Sequence, residues 1–397
     1  MVNAAQRGEG AQVRGVTSAW GWGGVLCLLA TAPALAQNPT PAPARSDSGP
    51  VAPPDSGRFR ITPLLAPAYN PEMQFLIAGG VLLSWKAGPN PLRVQRSTLS
   101  STVSISSIGA INVATTLSSF WNEDRFRLNA DLSFKDMDDN YWGVGYEAGL
   151  APNEGDSTTA YHRRWFKFSP RLVWRVKGNL LLGGVFEANQ TNATEINRTM
   201  IADPTFRQFG PDNKNTGLGL VVQYDSRDVA ANAWRGTYAG LTITAYGGWL
   251  GGDNKYETYL LDFRQYHPLG RAGRTLAWQI KSRIGAHNIP WPEFSMLGTG
   301  YDLRGYVEGR FRDRSTVIGL AEYRHMFVRG DGRLSRHGFV AWAGGGTLGP
   351  NLARLHGFLP NGGFGYRLEL QPRSNVRVDF GFGRNSNGIY FNFTEAF

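Results

Sequence analysis

With a single cysteine, Cys27, among 397 residues, the chain cannot hold an intramolecular disulfide. Charge is sparse as well, at 18%, which argues against a solvated, disordered chain. The net charge of +10 comes from arginines spread along the sequence rather than gathered into one basic stripe, so nucleic acid is not an expected partner. Six histidines (His162, His267, His287, His325, His337, His356) lack metal-ligand spacing and acidic neighbours in sequence. No G-x-S-x-G elbow occurs, and Gly217-Leu218-Gly219 fits a strand needing small residues better than a phosphate loop. The expectation is therefore no catalysis, no metal and no cofactor. A Ser/His pair brought together from neighbouring strands stays open as an alternative.

Long apolar runs are missing except at residues 19–36, "AWGWGGVLCLLATAPALA". The run follows Arg7 and Arg14 and ends in Ala34-Leu35-Ala36, so residues 1–36 are expected to be a cleavable export signal, which would remove Cys27. Residues 37–58 are rich in Pro, Ala and Ser and predict a semi-extended linker, with no room for a folded domain before the next segment.

What the chain does have is 50 glycines, 22 phenylalanines, 15 tyrosines and 12 tryptophans, and a period of two from residue 59 to 397. In "RFRLNADLSFK" (125–135), Phe126, Leu128, Ala130, Leu132 and Phe134 face one way, opposite Arg125, Arg127, Asn129, Asp131, Ser133 and Lys135. The same alternation runs through 275–287 and 376–384. A soluble sandwich alternates too. Arginine and lysine at successive positions of one face, however, suit a water-filled lumen. Candidate strands begin near 59, 74, 97, 110, 124, 160, 179, 215, 236, 255, 274, 315, 337, 363, 375 and 388. These predict an all-β, transmembrane antiparallel β-barrel of about 16 strands. Short turns would lie on the periplasmic side, and longer loops at 136–158, 192–213, 288–314 and 347–362 outside.

Residues 300–324, "GYDLRGYVEGRFRDRSTVIGLAEYR", pack five arginines and four carboxylates into one connection. With "YDSRD" (224–228), "LDFRQYHPLG" (261–270) and the final "RVDFGFG…GIYFNFTEAF", this segment resembles the BamA/TamA-type surface-antigen superfamily of the bacterial outer membrane, over the whole of 59–397. The resemblance implies a sixth outer loop folded into the lumen. Arg304 would be its tip, Gly305 would allow the tight turn, and Tyr306 would pack beside it. Glu322 is the expected partner of Arg304, with Arg324, Arg377 and Asp379 extending the network and Arg310, Arg312 and Asp313 pinning the descending limb. Two departures stand out. Trp342 occupies a position where many relatives place an acid, implying fewer partners for Arg304, and Ala233 replaces a common proline.

The implied function is assembly or insertion of membrane proteins, or translocation across the outer membrane, through a seam between first and last strands that Pro63 and Pro67 weaken. The alternative is a passive pore, or a platform for a partner protein. Expected partners are outer-membrane lipids, client proteins, a separately encoded periplasmic partner, and the barrel-assembly machinery during the chain's own biogenesis. For that last step Ile389, Phe391, Phe393 and Phe397 resemble an assembly signal, interrupted by Glu395.

Overall fold

The computed structural model describes residues 59–70, 73–87, 94–151 and 158–397; the expected signal and linker lie outside them. Sixteen strands form one antiparallel sheet in chain order. They are β1 (Arg60–Asn70), β2 (Gln74–Trp85), β3 (Ser97–Ser106), β4 (Ile111–Trp121), β5 (Phe126–Asn140), β6 (Ala160–Lys177), β7 (Leu180–Thr194), β8 (Asp212–Asp225), β9 (Gly236–Tyr246), β10 (Tyr256–Pro268), β11 (Arg274–His287), β14 (Ser315–Val328), β15 (Leu334–Gly349), β16 (His356–Gln371), β17 (Ser374–Gly383) and β18 (Ser386–Phe393). Inside the connection from β11 to β14, β12 (Ser295–Leu297) and β13 (Phe311–Asp313) make a two-stranded ribbon of their own. Short helices α1 (Tyr146–Leu150), α2 (Arg198–Ala202) and α3 (Pro204–Phe209) occupy other connections.

Period-two patterning sorts the side chains to opposite faces. On β11, Leu276 and Ile280 are exposed while Thr275, Ala277 and Gln279 are buried. Leu220 on β8 is 72% exposed, whereas Arg127 on β5 is buried against Asp124 and Asp225. An apolar outer face and a charged, hydrogen-bonded inner face are the arrangement of a transmembrane β-barrel wall. All backbone ladders are made between neighbouring strands, as hydrocarbon surroundings demand.

Three boundaries differ from expectation. β8 begins at Asp212 and β15 at Leu334, each three residues early, and β16 begins at His356 instead of 363. The loop expected at 347–362 shrinks to 350–355, because residues expected there extend the ladder: His356 pairs with Leu348, Leu359 with Gly346 and Pro360 with Gly345. A β-carbon on Gly345 would meet the Phe358 ring at 2.4 Å, so the missing side chain leaves room for a cross-strand ring. Connection length also fails to mark the side consistently. The β17–β18 turn is short although it lies at the same end as residues 288–314, while residues 226–235 form a long turn at the opposite end.

The two ends of the sheet are not joined by a ladder among the described residues. They lap. Leu64 and Leu82, on the inward faces of β1 and β2, pack in one cluster with Val376, Phe391 and Phe393, which sit at outward positions of β17 and β18. Gly80 lies close enough for a β-carbon there to touch the Phe393 ring at 3.5 Å. Gln371 fastens the overlap by donating to the Thr62 hydroxyl at 2.8 Å and to the Leu82 carbonyl at 3.2 Å. Pro63 and Pro67 in β1 have no N–H to offer a neighbouring edge.

Candidate functional site

Within residues 288–314 the tip, 298–306, lies against the inward face of β14 to β18, while Trp291 and Phe294 pack toward Tyr161, Phe206, Tyr246 and Tyr256. The turn at the loop tip is shaped by Asp302, whose carboxylate accepts N–H bonds from Gly298 (3.1 Å), Thr299 (2.7 Å) and Leu303 (2.5 Å). Burial pushes the Asp302 carboxyl above its ordinary range. Gly305 follows at φ 110°, a left-handed region favouring glycine. Its N–H donates to the Tyr390 hydroxyl at 2.9 Å. A β-carbon on Gly305 would meet the Gly381 backbone at 2.6 Å, and one on Gly381 would meet the Arg304 carbonyl oxygen at 2.4 Å. Two glycines thus bring loop and β17 into backbone contact.

That contact delivers Arg304, which is 0% exposed. Its Nη1 donates to Asp379 at 2.8 Å and its Nη2 to Glu322. The guanidinium lies 3.6 Å from the centroid of the Trp342 ring, and the Trp342 indole N–H donates to Asn361 at 3.0 Å. Asn361 in turn donates to the Arg304 carbonyl at 2.5 Å and to that of Phe382 at 3.1 Å. The second Glu322 oxygen pairs with Arg324 at 2.9 Å. Asp379 also takes Arg367 at 2.6 Å and pairs with Arg377. Arg367 reaches on to Glu395 at 2.8 Å, and Arg377 to the Gly300 carbonyl at 2.6 Å.

Four guanidiniums (Arg304, Arg324, Arg367, Arg377) therefore face three carboxylates (Glu322, Asp379, Glu395). The excess cation is offset by ring faces: Arg304 on Trp342, Arg324 on Tyr266 and Phe397, Arg377 on Tyr301. Trp342 thus supplies a partner where its replacement of an acid implied a loss. Lipid exposure of such a guanidinium would cost several kcal/mol, on the order of the 2.5–3.5 kcal/mol insertion penalty; here each finds acceptors. Both oxygens of Glu322 and Asp379 are engaged, so the arrangement holds a position and offers no free acid or base.

The remaining predicted residues lie along the descending limb. The Tyr306 hydroxyl donates to the Pro360 carbonyl at 2.7 Å and accepts from the Arg384 N–H at 2.8 Å. Arg310 donates to the Gly149 carbonyl at 2.8 Å, and Arg312 to those of Gly309 (2.7 Å) and Asn140 (3.1 Å). Among the described residues Asp313 accepts the N–H of Arg314 next to it and no other, and burial raises its carboxyl. Ile389 and Phe391 sit on β18, Phe393 lies in the lapped seam, and Phe397 turns inward onto Arg324.

Sequence reasoning missed Arg367, Asn361, Tyr390 and the Lys135–Glu308 pair (2.7 Å), which ties the loop to β5. Arg367 was findable, since it falls on the inward parity of β16. Glu395, which looked like a flaw in the terminal apolar run, is its partner. Lys135, followed by burial acting the other way and by Arg163, sets the Glu308 carboxyl, which is held down to about 2.

Residues 91–352, more than half of the chain, match the Omp85 superfamily domain. Solved structures of similar fold include BamA from Haemophilus ducreyi lacking POTRA domains 1-3, with a TM-score of 0.50 and 14% identity over 85% of this chain and 70% of that one. CdiB from Acinetobacter baumannii gives a TM-score of 0.51 and 13% identity over 85% and 65%, and CdiB from Escherichia coli 0.51 and 12% over 86% and 62%. The chain thus spans less than two thirds of either CdiB chain. No curated protein sequence matches it. The fold likeness and the domain match agree on one assignment: the chain belongs to the Omp85 superfamily and is a bacterial outer-membrane β-barrel.

Proposed function

We propose that this barrel inserts client proteins into the outer membrane, or passes them across it, by opening the lapped seam between β1–β2 and β17–β18. The observation that carries the reading is the kind of joint the seam makes. Every other strand pair is a hydrogen-bonded ladder, and this one is apolar side-chain packing fastened by Gln371. Such a joint opens without breaking a ladder, and an edge so freed accepts a client strand by β-augmentation. The Arg304 cluster supports this by holding β14 to β18 against the loop, so movement falls on β1 and β2. A separately encoded periplasmic partner would deliver the client.

Depletion of the chain followed by quantitation of outer-membrane proteins and lipids tests the proposal. The expected result is selective loss of at least one outer-membrane or exported protein; an unchanged census would overturn it. Single-channel recording addresses the passive-pore alternative. Small, irregular currents agree with a lumen occupied by the loop, whereas a large, steady conductance would favour a pore.

A further inference from the structure

The outward face carries a cationic patch at the end bearing the β10–β11 turn, opposite residues 288–314; with that connection as an outer loop, this end is the periplasmic one. Arg271, in that turn, donates to the His325 ring at 3.0 Å and to the Met326 carbonyl at 2.9 Å. Arg274 opens β11 directly opposite His325 in the ladder. Neither arginine has a carboxylate partner among the described residues, although arginines elsewhere in the barrel pair with acids at 2.5–3.1 Å. Burial, and then Arg274, push Arg271 below its ordinary value. With Nε2 accepting from Arg271, His325 carries its proton on Nδ1, facing the Tyr323 hydroxyl at 2.9 Å. The imidazole is thereby neutral and offers no countercharge. Beside it lies an apolar shelf: His325 stacks on Phe339 at 5.2 Å, and Tyr323 and Phe327 lie 5.8 and 5.9 Å from the same ring.

Two adjacent guanidiniums without an acid, at the level where lipid headgroups meet water, are complementary to a phosphodiester. The Phe339 ring, level with His325, and the Tyr323 ring, one ladder pair deeper, match the start of acyl chains, while Phe327 lies on the rim side of them. We propose that Arg271 and Arg274 bind the headgroup phosphate of an anionic phospholipid of the periplasmic leaflet, with its chains lying on Phe339 and Tyr323.

Native mass spectrometry of the full chain, with phosphatidylglycerol or phosphatidylcholine of matched acyl chains added, tests this site. The wild type should retain phosphatidylglycerol preferentially. Arg271→Gln with Arg274→Gln should weaken that retention about thirty-fold, and Arg274→Gln alone about five-fold. Heat-modifiable migration in gels confirms that each variant folds, and the single variant serves if the double one does not. Arg198→Gln with Arg207→Gln, at the opposite rim, should leave the preference unchanged. Equal retention of the two lipids by the wild type, or an undiminished preference in the Arg274→Gln variant, would overturn the proposal.

Discussion

The two walls flanking the seam are built on opposite principles. Facing the lumen, β14 to β17 carry Glu322, Arg324, Trp342, Arg367, Arg377 and Asp379, all buried in the network that holds Arg304 of the loop. The inward positions of β2 to β4 carry instead Ala78, Ser100, Thr102, Ser104, Asn112 and Ala114, lining a cavity of roughly 360 Å³ that separates them from the loop. A buried ion network is poor at adding stability but strict about geometry, because losing one member strands the others. Small hydroxyls and alanines impose no such condition. The difference is one of constraint: one wall is held to a single geometry by its ion network, and the other carries no such condition.

The largest expected effect breaks the fixed wall. Arg304→Ala leaves Glu322 and Asp379 short of a cation and should cost about 3–5 kcal/mol. It would be read as a lowered denaturant midpoint and protease cleavage within 288–314. Arg304→Lys should not restore the wild type, since one ammonium cannot reproduce a planar fork aimed at two carboxylates. Gly381→Ala drives a methyl into the Arg304 carbonyl and should cost about 1–3 kcal/mol in the same assay. Trp342→Leu removes the ring under the guanidinium and should cost about 1–2 kcal/mol.

Smaller effects sharpen the contrast. Glu308 is held to about 2, chiefly by Lys135. Because the docked value lies below the ordinary one, its contribution to docking is fully present above the ordinary carboxylate range and is lost as pH falls from there toward 2. Acid titration of loop protease sensitivity should show this, and Lys135→Met should move the onset to higher pH. On the compliant wall, Ser100→Ala and Ser104→Ala should change stability by no more than about 0.5 kcal/mol. A loss there comparable to Arg304→Ala would erase the distinction.

Much of this was legible in the sequence, for physical reasons. Strict alternation in segments such as 125–135 fixes which side chains face lipid, because a one-residue slip would send Arg127 and Lys135 outward. Arg304, Glu322, Arg377 and Asp379 stood out through the resemblance of residues 300–324 to the sixth loop of the surface-antigen superfamily, and a buried charge there demands a partner. Less legible were features set by tertiary contact. A glycine that admits a neighbouring ring, as Gly357 admits that of Tyr146, looks like loop in one dimension. Trp342 looked like a lost partner because ring faces as acceptors leave no mark in a charge pattern. The lapped seam was also invisible, since Phe393 and Leu82 each occupy an ordinary position on its own strand.

The most direct test of the proposed seam opening is a disulfide between Leu82→Cys and Phe393→Cys, two positions packed in the overlap. The oxidised barrel should fold, migrate as a heat-modifiable species and fail to restore the outer-membrane protein census after depletion of the wild type, with function returning on reduction. Full complementation by the oxidised barrel would contradict the account.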